Sequence, residues 1–192
     1  MGSLFWITLP SPFDTFSIVW RETASGPRVC RIFLSSERAV SEDIAQSTFP
    51  SIGHKSHPAI VGLGEQIGSF LEGQAVSFGL DLMALDVCSD FQRRVVLAEY
   101  GIPRGWVSTY GRIAKHLGVE KGARAVGSAL ARNPFPIVIP CHRAIRSNGE
   151  LGGYQGGLAM KRALLAFEGV QVSGTGKVLA QRVYYGEKPK DV

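Results

Sequence analysis

Cys141 has the neighbours that a chemically active cysteine requires. It follows the apolar run "PIVIP" and directly precedes two basic side chains, His142 and Arg143. Because the thiolate is the nucleophile, a working cysteine needs a group that takes its proton or balances its charge. A histidine can take that proton. The order of these residues therefore makes Cys141 a candidate nucleophile and His142 its candidate base.

A histidine base needs an acceptor that fixes its tautomer and stabilises its charged form. Glu150 lies in the turn-like "SNGELGG", whereas Glu168 lies at the end of a predicted helix that would hold it rigidly. We therefore predict a relay from Cys141 through His142 to Glu168, on the logic of nucleophile, base and orienting carboxylate. If this segment is a strand, adjacent side chains point to opposite faces, so we expect a water molecule to bridge the cysteine and the histidine.

The remaining cysteines and histidines suggest no second reactive centre. Zinc sites use paired Cys and His ligands at short spacing, and no such pair flanks Cys141. His54 and His57 lie in a loop rich in Pro and Ser, which leaves a structural metal there as an alternative. Cys30 and Cys88 have apolar neighbours and fit small core residues. We predict no metal and no cofactor.

The composition is that of a globular chain inside the cell. Its 192 residues are 45% hydrophobic, enough for one good core or two small ones. The three cysteines are few and widely spaced, which is typical of a reduced compartment. The start of the chain lacks the features of a signal peptide, and no apolar run is long enough to span a membrane. We expect a cytoplasmic protein, or a nuclear one if the source is eukaryotic.

Charge divides the chain into two unequal halves. Residues 1–86 carry 5 Lys and Arg against 9 Asp and Glu, whereas residues 87–192 carry 16 against 7. This asymmetry suggests two units, and we place the domain boundary between them at 86/87. The basic half would meet a polyanion such as nucleic acid, with solubility as the alternative explanation.

The acidic half is predicted to form a sheet with some helix. "FSIVWRE" and "RVCRIFLSS" predict a hairpin closed by "TASGP". The polar stretch "SEDIAQSTFPSIGHKSHP" is expected to be mostly loop. "AIVGLGEQIGSFLEG" has helical apolar spacing and ends at Gly73. "AVSFGLDLMALDV" is expected to be a strand leading out of this unit.

The basic half is predicted to form helices followed by short strands. "SDFQRRVVLAEYG" offers Ser89 as N-cap, an apolar stripe at Phe91, Val95 and Leu97, and Gly101 as the stop. "STYGRIAKHLG" and "GARAVGSALARNP" predict two further helices, and "PIVIP" and "RAIRS" predict strands. This order is typical of a winged helix-turn-helix. "GLAMKRALLAFEG" predicts a closing helix with an apolar face that includes Met160, Ala163, Leu164 and Phe167.

The third of these helices has an unusual surface for a DNA reader. Recognition helices in the major groove need long polar side chains that reach base edges. Here Val126 and Leu130 can pack inward, and the opposite face offers only small side chains apart from Arg124. Such a face suits close approach to a backbone or a shallow minor groove, although tight helix packing would explain it equally well.

The motifs taken together resemble the O6-alkylguanine-DNA alkyltransferases, also called methylated-DNA–protein-cysteine methyltransferases. The resemblance rests on "FQRRV", "IPRGWVSTYGRIA", "ARAVGSALARNP", "IPCHRAI", "GELGGYQGG" and "LLAFEG", in that order within residues 89–169. It implies an α+β protein, with a small N-terminal ribonuclease-H-like α/β domain followed by the winged helix-turn-helix domain. It also implies a suicide enzyme of DNA repair, which transfers an alkyl group from O6-alkylguanine or O4-alkylthymine in duplex DNA to its own cysteine after base flipping.

The resemblance also implies roles for individual residues. Cys141 matches the alkyl acceptor, His142 and Glu168 its activating network, and Asn133 the residue that ties the active-site turn to the third helix. Arg124 matches the side chain that fills the place of the flipped base, and the Tyr110 hydroxyl is suited to assist the leaving base. Contacts with DNA are implied for Tyr110, Gly111, Arg124, Gly127, Ser128, Ala131 and Ser147. The pocket residues are Pro140, Ala144, Tyr154 and Gln155.

Two residues depart from the family pattern. Ala144 stands where the family often has valine, and Gln155 replaces a small hydroxyl residue, so the range of accepted alkyl groups is open. Residues 170–192 extend past the resemblance and have no assigned role. We expect a monomer that contacts the minor groove of double-stranded DNA and no membrane.

Three other classes of protein compete with this interpretation. A cysteine hydrolase would use Cys and His but would not need an adjacent basic winged helix. A non-enzymatic lesion-binding protein that recruits other repair machinery would lack the acceptor cysteine. A winged-helix transcriptional regulator would carry polar residues across its third helix.

Overall fold

The acidic half folds around a small twisted sheet. A computed structural model describes residues 3–179 and 182–185. Strands β1 (Leu4–Ser11), β2 (Asp14–Thr23) and β3 (Gly26–Leu34) are antiparallel, and β4 (Gly53–His54) pairs in parallel with β1, giving the order β3-β2-β1-β4. The predicted hairpin is confirmed as β2–β3, with Gly26 at positive φ. Strand β1 was not predicted.

Helices cover both faces of this sheet. On one face lies α2 (Pro58–Leu71), the helix predicted to end near Gly73, whose φ of 94° lets the chain turn away. On the other lies α1 (Ser41–Thr48), where a loop was predicted. That prediction was wrong because a short polar helix has little apolar periodicity; here two acidic residues in the first turn favour it and Ala45 packs against the sheet.

The connection between the halves is irregular. A strand was predicted over "AVSFGLDLMALDV", but the segment forms only one bridge, from Met83 to Val29, and a 3-10 turn at Leu85–Val87. Backbone hydrogen bonds join Val29 to Leu82 and Ala84 at 2.7 and 2.8 Å. The segment is therefore tied to the edge of β3 at a single point.

The basic half begins with the predicted helices. They are α3 (Asp90–Tyr100), α4 (Tyr110–His116) and α5 (Ala123–Ala131). Ser89, the predicted N-cap of α3, accepts a hydrogen bond from the Gln92 amide, and Thr109, one of two candidates that the sequence offered with Ser108, caps α4 by accepting from the Arg112 amide. The two-residue strands β5 (Ser108–Thr109) and β6 (Ala144–Ile145) pair in parallel, and α6 (Gly157–Phe167) closes this half.

The segment that carries Cys141 is not the predicted strand. "PIVIP" forms a tight turn, with Ile137 at a φ of 74°, and Cys141–Arg143 form one turn of 3-10 helix. The predicted strand "RAIRS" is reduced to β6. Prolines at positions 134, 136 and 140 remove backbone donors that a strand would need, which explains the correction.

The apolar turn before Cys141 is anchored in the largest core of the molecule. Phe135, Ile137, Val138 and Ile139 are buried in a cluster that also contains side chains of the sheet and of α2. The amide of Ile32 on β3 donates to the Pro134 carbonyl at 2.8 Å. The acidic half therefore helps to hold the segment that leads to the cysteine.

The described residues after α6 pack against other parts of the basic half. The amide of Val178 donates to the Gly149 carbonyl at 2.8 Å, and residues 182–184 pair in parallel with Val107, next to β5. The other tail residues, 180–181 and 186–192, lie outside the described residues. Within the described residues, no helix has the length and apolar character needed to cross a membrane.

Candidate active site

Cys141 is one of the residues that line a small cavity. It is 6% exposed, and its amide donates to the Ile139 carbonyl at 2.7 Å within the tight turn. The cavity has a volume of about 210 Å³. Its lining brings together Tyr110, Gly127, Leu130, Ala131, Cys141, Gly153, Tyr154 and Gln155.

His142 and Glu168 form the predicted pair. The Nε2 atom of His142 lies 2.9 Å from Oε1 of Glu168, and both side chains are fully buried. Arg143 grips the same carboxylate, with Nη2–Oε1 at 2.7 Å and Nε–Oε2 at 2.9 Å. Burial acts to raise the pKa of Glu168, but His142 and Arg143 outweigh it and lower the pKa to about 2. Glu168 is therefore ionised.

The ionised carboxylate decides which histidine nitrogen is free. Since the Glu168 carboxylate can only accept, Nε2 of His142 carries the proton and Nδ1 does not. Burial lowers the pKa of His142, although Glu168 acts in the opposite direction, so the ring is neutral near pH 7. Nδ1 is buried and has no hydrogen-bond partner among the described residues. It is an available base.

The thiol needs such a base. Burial raises the pKa of Cys141 to about 11, with the side chain of Asn133 acting to lower it. At neutral pH the thiol is therefore protonated in the resting protein. Its conversion to a nucleophile depends on transfer of its proton to a neighbour.

Asn133 ties the end of α5 to the cysteine turn. It is fully buried, donates through Nδ2 to the Ile139 carbonyl at 3.2 Å, and accepts from the Phe135 amide at 3.0 Å. Gln155 adds a link that no sequence signal indicated, because its Nε2 donates to the Asn133 carbonyl at 2.7 Å. These bonds join the turn, α5 and the loop 151–156.

Tyr110 faces the cysteine from the first turn of α4. Burial, with Glu99 and Cys141 nearby, raises the pKa of Tyr110 to about 12, so its hydroxyl stays a donor. Gly152, at a φ of 70°, lies against this hydroxyl: a Cβ there would stand 2.6 Å from the oxygen. A glycine is needed where the loop passes the tyrosine.

The other predicted site residues lie away from the cavity lining. Arg124 and Ser128 are exposed on α5, and Ser147 is exposed at the turn after β6. Gly111 is half-buried beside Tyr110. Pro140 and Ala144, which were predicted to line the pocket, are buried and do not line this cavity. The backbone of Ala144 instead accepts a hydrogen bond from Lys161.

Lys161 is the functional candidate with the weakest sequence signal. Its ammonium is fully buried and donates to the carbonyls of Ala144 and Leu151 at 2.6 and 2.5 Å. A lysine on an amphipathic helix is normally assigned to the solvent face. The "MKR" stretch gave no reason to turn it inward.

The structural metal that the sequence left open at His54 and His57 has no ligand set among the described residues. His57 caps α2, since its Nδ1 accepts from the Ala59 amide at 3.1 Å, and the ring of His54 packs edge-on against Trp6. Among the described residues, no three His, Cys, Asp or Glu side chains form a metal-binding group.

Comparison with known proteins agrees with this geometry. Residues 90–170 match the family described as 6-O-methylguanine DNA methyltransferase, DNA binding domain. The crystal structure of Mycobacterium tuberculosis O6-methylguanine methyltransferase superposes with a TM-score of 0.69 at 30% identity, covering 86% of this chain and 92% of that one. The chain belongs to the O6-methylguanine-DNA methyltransferase family.

Two further relatives bear on this family assignment. A methylated-DNA–protein-cysteine methyltransferase of Methanothermobacter thermautotrophicus is 47% identical over 116 residues, which are 60% of this chain and 65% of that protein. The chain thus matches slightly less than two thirds of that relative's length. The M. tuberculosis enzyme in complex with DNA gives a TM-score of 0.67 at 30% identity, over 85% of this chain and 92% of that one.

Proposed function

We propose that this protein repairs alkylated DNA by moving the alkyl group from O6 of guanine, or O4 of thymine, to Cys141. One observation carries the proposal: a buried thiol faces a base-sized cavity, with the unprotonated Nδ1 of His142 and the ionised Glu168 behind it. The reaction is direct reversal of damage, and it requires no cofactor.

The chemistry follows from the protonation states. His142 takes the thiol proton at Nδ1 through a bridging water, and Glu168 stabilises the resulting imidazolium. The sulfur then attacks the alkyl carbon, a C–S bond forms and the C–O6 bond breaks. The leaving guanine accepts a hydrogen bond from the Tyr110 hydroxyl, and the proton held by His142 finally passes through water to the guanine, which restores the neutral histidine. The thioether formed on Cys141 resists displacement by water, so each chain acts once.

The cavity requires the base to leave the duplex. A target atom inside the stack cannot reach a buried thiol, and extrusion costs a few kcal/mol. Arg124 supports this step because it is exposed in the first turn of α5, where it can enter the duplex and occupy the vacated place. The neighbouring face of α5 is small: Gly127, Ser128 and Ala131 allow a backbone to approach closely.

The proposal also includes the type of fold that each half of the chain adopts. We assign α3, α4, α5 and the β5–β6 pair to a winged helix-turn-helix spanning 87–192, and the sheet of 1–86 to a ribonuclease-H-like domain. The DNA complex of the M. tuberculosis relative supports a DNA-binding role. We further propose contact through the minor groove of double-stranded DNA, with Ser147 and Gly111 at its border, by a monomer.

The test separates chemistry from binding. Cys141→Ala should abolish alkyl transfer from a duplex containing O6-methylguanine. Its DNA affinity should stay within about twofold of wild type, because one thiol adds little to a protein–DNA interface. Cys30→Ala and Cys88→Ala are the matched controls and should transfer normally. Retained transfer in Cys141→Ala would refute the proposal, and lost DNA binding would indicate that Cys141 is structural.

A further inference from the structure

Phe70 is a side chain of the acidic half that contacts the candidate active site. It lies in the last turn of α2, is 3% exposed, and belongs to the core shared by the sheet, α2 and the turn before Cys141. Its ring centroid lies 5.8 Å from that of the His142 imidazole, and the two ring planes are tilted by 51°. The proposed reaction gives this contact no role.

His142 is enclosed by neighbours of different kinds. Glu168 binds its Nε2 at 2.9 Å, and the Tyr154 ring lies edge-on at a centroid distance of 6.3 Å, farther away than Phe70. The histidine is fully buried. Bulk water therefore cannot surround the imidazolium when it forms, and the neighbouring groups decide how costly that charge is.

The ring of Phe70 already contacts one cation. The Arg104 guanidinium lies over it, 5.9 Å from the centroid, and Nη2 of Arg104 donates to the Phe167 carbonyl at 2.6 Å. A phenyl ring attracts a cation within about 6 Å of its centroid through its negative face, and the attraction is stronger where water is excluded. The centroid distance of 5.8 Å places His142 within that range.

We propose that Phe70 is a positioning residue for alkyl transfer: its ring holds the His142 imidazole in place and stabilises the imidazolium that forms when Nδ1 takes the thiol proton. The inference rests on the proposed function. The proton still passes from Cys141 to Nδ1, and Phe70 exchanges no atom or electron. The acidic half thereby takes part in the chemistry, in addition to supporting the cysteine turn.

Packing in the core is the competing explanation for Phe70. Its ring also meets Phe78 edge-on, with centroids 5.7 Å apart. Within the described part of the chain, His142 makes ring contacts with Phe70 and Tyr154 but not with Phe78. Phe78 is therefore a matched control, because it has the same side chain and packs against the same core without touching the histidine.

Fluorination separates cation attraction from packing. Each fluorine weakens the negative charge on the face of a phenyl ring and changes its shape little. Mono-, tri- and pentafluorophenylalanine are introduced at position 70. The rate of methyl transfer to Cys141 is measured with free O6-methylguanine, which needs neither DNA binding nor base flipping. The rate should fall stepwise with fluorine content, by about tenfold for the pentafluoro ring, as expected when a cation–π contact in a buried site is lost.

The same series at position 78 should stay within about twofold of wild type, since that ring lies one contact away from the cation. Phe70→Leu keeps an apolar side chain without a ring and should be at least as slow as the pentafluoro variant, whereas Phe78→Leu should transfer at the wild-type rate. If Phe70→Leu does not fold, the monofluoro and trifluoro rings, which are close to phenyl in size, still give the trend.

Each failure has its own signature. A rate that ignores or rises with fluorine content at position 70, an equal decline at position 78, or a Phe70→Leu variant as fast as wild type would overturn the inference while leaving the proposed function intact. Wild type that never methylates Cys141 would overturn the proposed function, and this inference with it.

Discussion

The hydrogen bond between His142 and Glu168 determines which nitrogen can accept a proton. Because Glu168 is ionised, it holds the Nε2 proton and leaves Nδ1 unprotonated toward the interior. The same carboxylate would stabilise the imidazolium that forms when the thiol loses its proton. Glu150, the other carboxylate within reach in sequence, is instead partly exposed and paired with Arg146 at 2.8 Å. The two acids can therefore be distinguished by substitution.

Glu168→Gln should slow alkyl transfer at pH 7 by about 100-fold, the lower range of what a positioned base contributes. The variant keeps a hydrogen-bond acceptor but loses the charge that stabilises imidazolium. Single-turnover kinetics on duplex DNA measure the rate, and Glu150→Gln is the matched control, expected to stay within about twofold. If Glu150→Gln proved to be the slow variant, the relay would have the wrong carboxylate.

Gly152 is the residue that keeps the loop clear of Tyr110. In Gly152→Ala, the new Cβ would stand 2.6 Å from the tyrosine hydroxyl, at a φ of 70° that alanine adopts poorly. We expect a loss of unfolding free energy of about 1–3 kcal/mol and a slower transfer, since the hydroxyl must move. Chemical denaturation and single-turnover rates test this. Gly68→Ala on α2, where a Cβ meets no atom within 4 Å, should be stable and active. Equal behaviour of the two variants would contradict the close approach.

At the scale of elements, α5 combines a buried apolar side with a small outer side that carries one long cation. If Arg124 occupies the gap left by the base, Arg124→Ala should slow repair of duplex DNA severely and matter far less for free O6-methylguanine. It should also flatten the salt dependence of DNA binding by about one unit or less. Arg124→Lys should restore this electrostatic part but not the repair rate, because an ammonium cannot mimic the planar guanidinium.

Rates on duplex and on free base, measured in parallel for both Arg124 variants, separate extrusion from chemistry. Arg132, exposed just after α5, supplies the matched control: Arg132→Ala removes one cation from the opposite end of the same helix and leaves the first turn unchanged. Equal slowing of Arg124→Ala on both substrates would place its side chain in the fold or the active site instead.

Local signals predicted most of these elements. The starts of α3 and α4 are marked by Ser89 and Thr109, whose side chains accept hydrogen bonds from backbone amides. The end of α4 is marked by Gly118, which adopts the positive φ that a helix end favours. On α3, helical spacing alone puts position 99 on the buried side with Val95, one turn earlier. Residue type suggested otherwise, and the exposed Leu97 and buried Glu99 reverse the expected pattern.

What could not be predicted depends on contacts distant in sequence. The turn through Ile137 is stabilised by an apolar core that includes β3 and α2, and no short window of sequence reveals that. Lys161 turns inward because carbonyls of two separate segments meet at its ammonium. In the candidate site, "PCHR" and the other motifs quoted above indicated Cys141, His142 and Glu168. The burial of Glu99 and Lys161 became visible only in the structure.

At the scale of the whole molecule, the acidic half supports the turn that precedes the cysteine, and the basic half carries the candidate DNA surface. The amide of Ile32 and the carbonyl of Pro134 join them directly, at 2.8 Å. This arrangement brings together a protonated thiol, the histidine that can take its proton, and a cavity of about 210 Å³. In the proposed function, this arrangement serves a single event, the transfer of one alkyl group to one sulfur.

Site-resolved mass spectrometry tests that event most directly. The protein is mixed with excess duplex containing O6-methylguanine, and the intact chain and its cysteine peptides are weighed over time. We predict one methyl group per chain, on Cys141 alone, with no further repair after one equivalent. Methyl on Cys30 or Cys88, or continued turnover, would contradict the account.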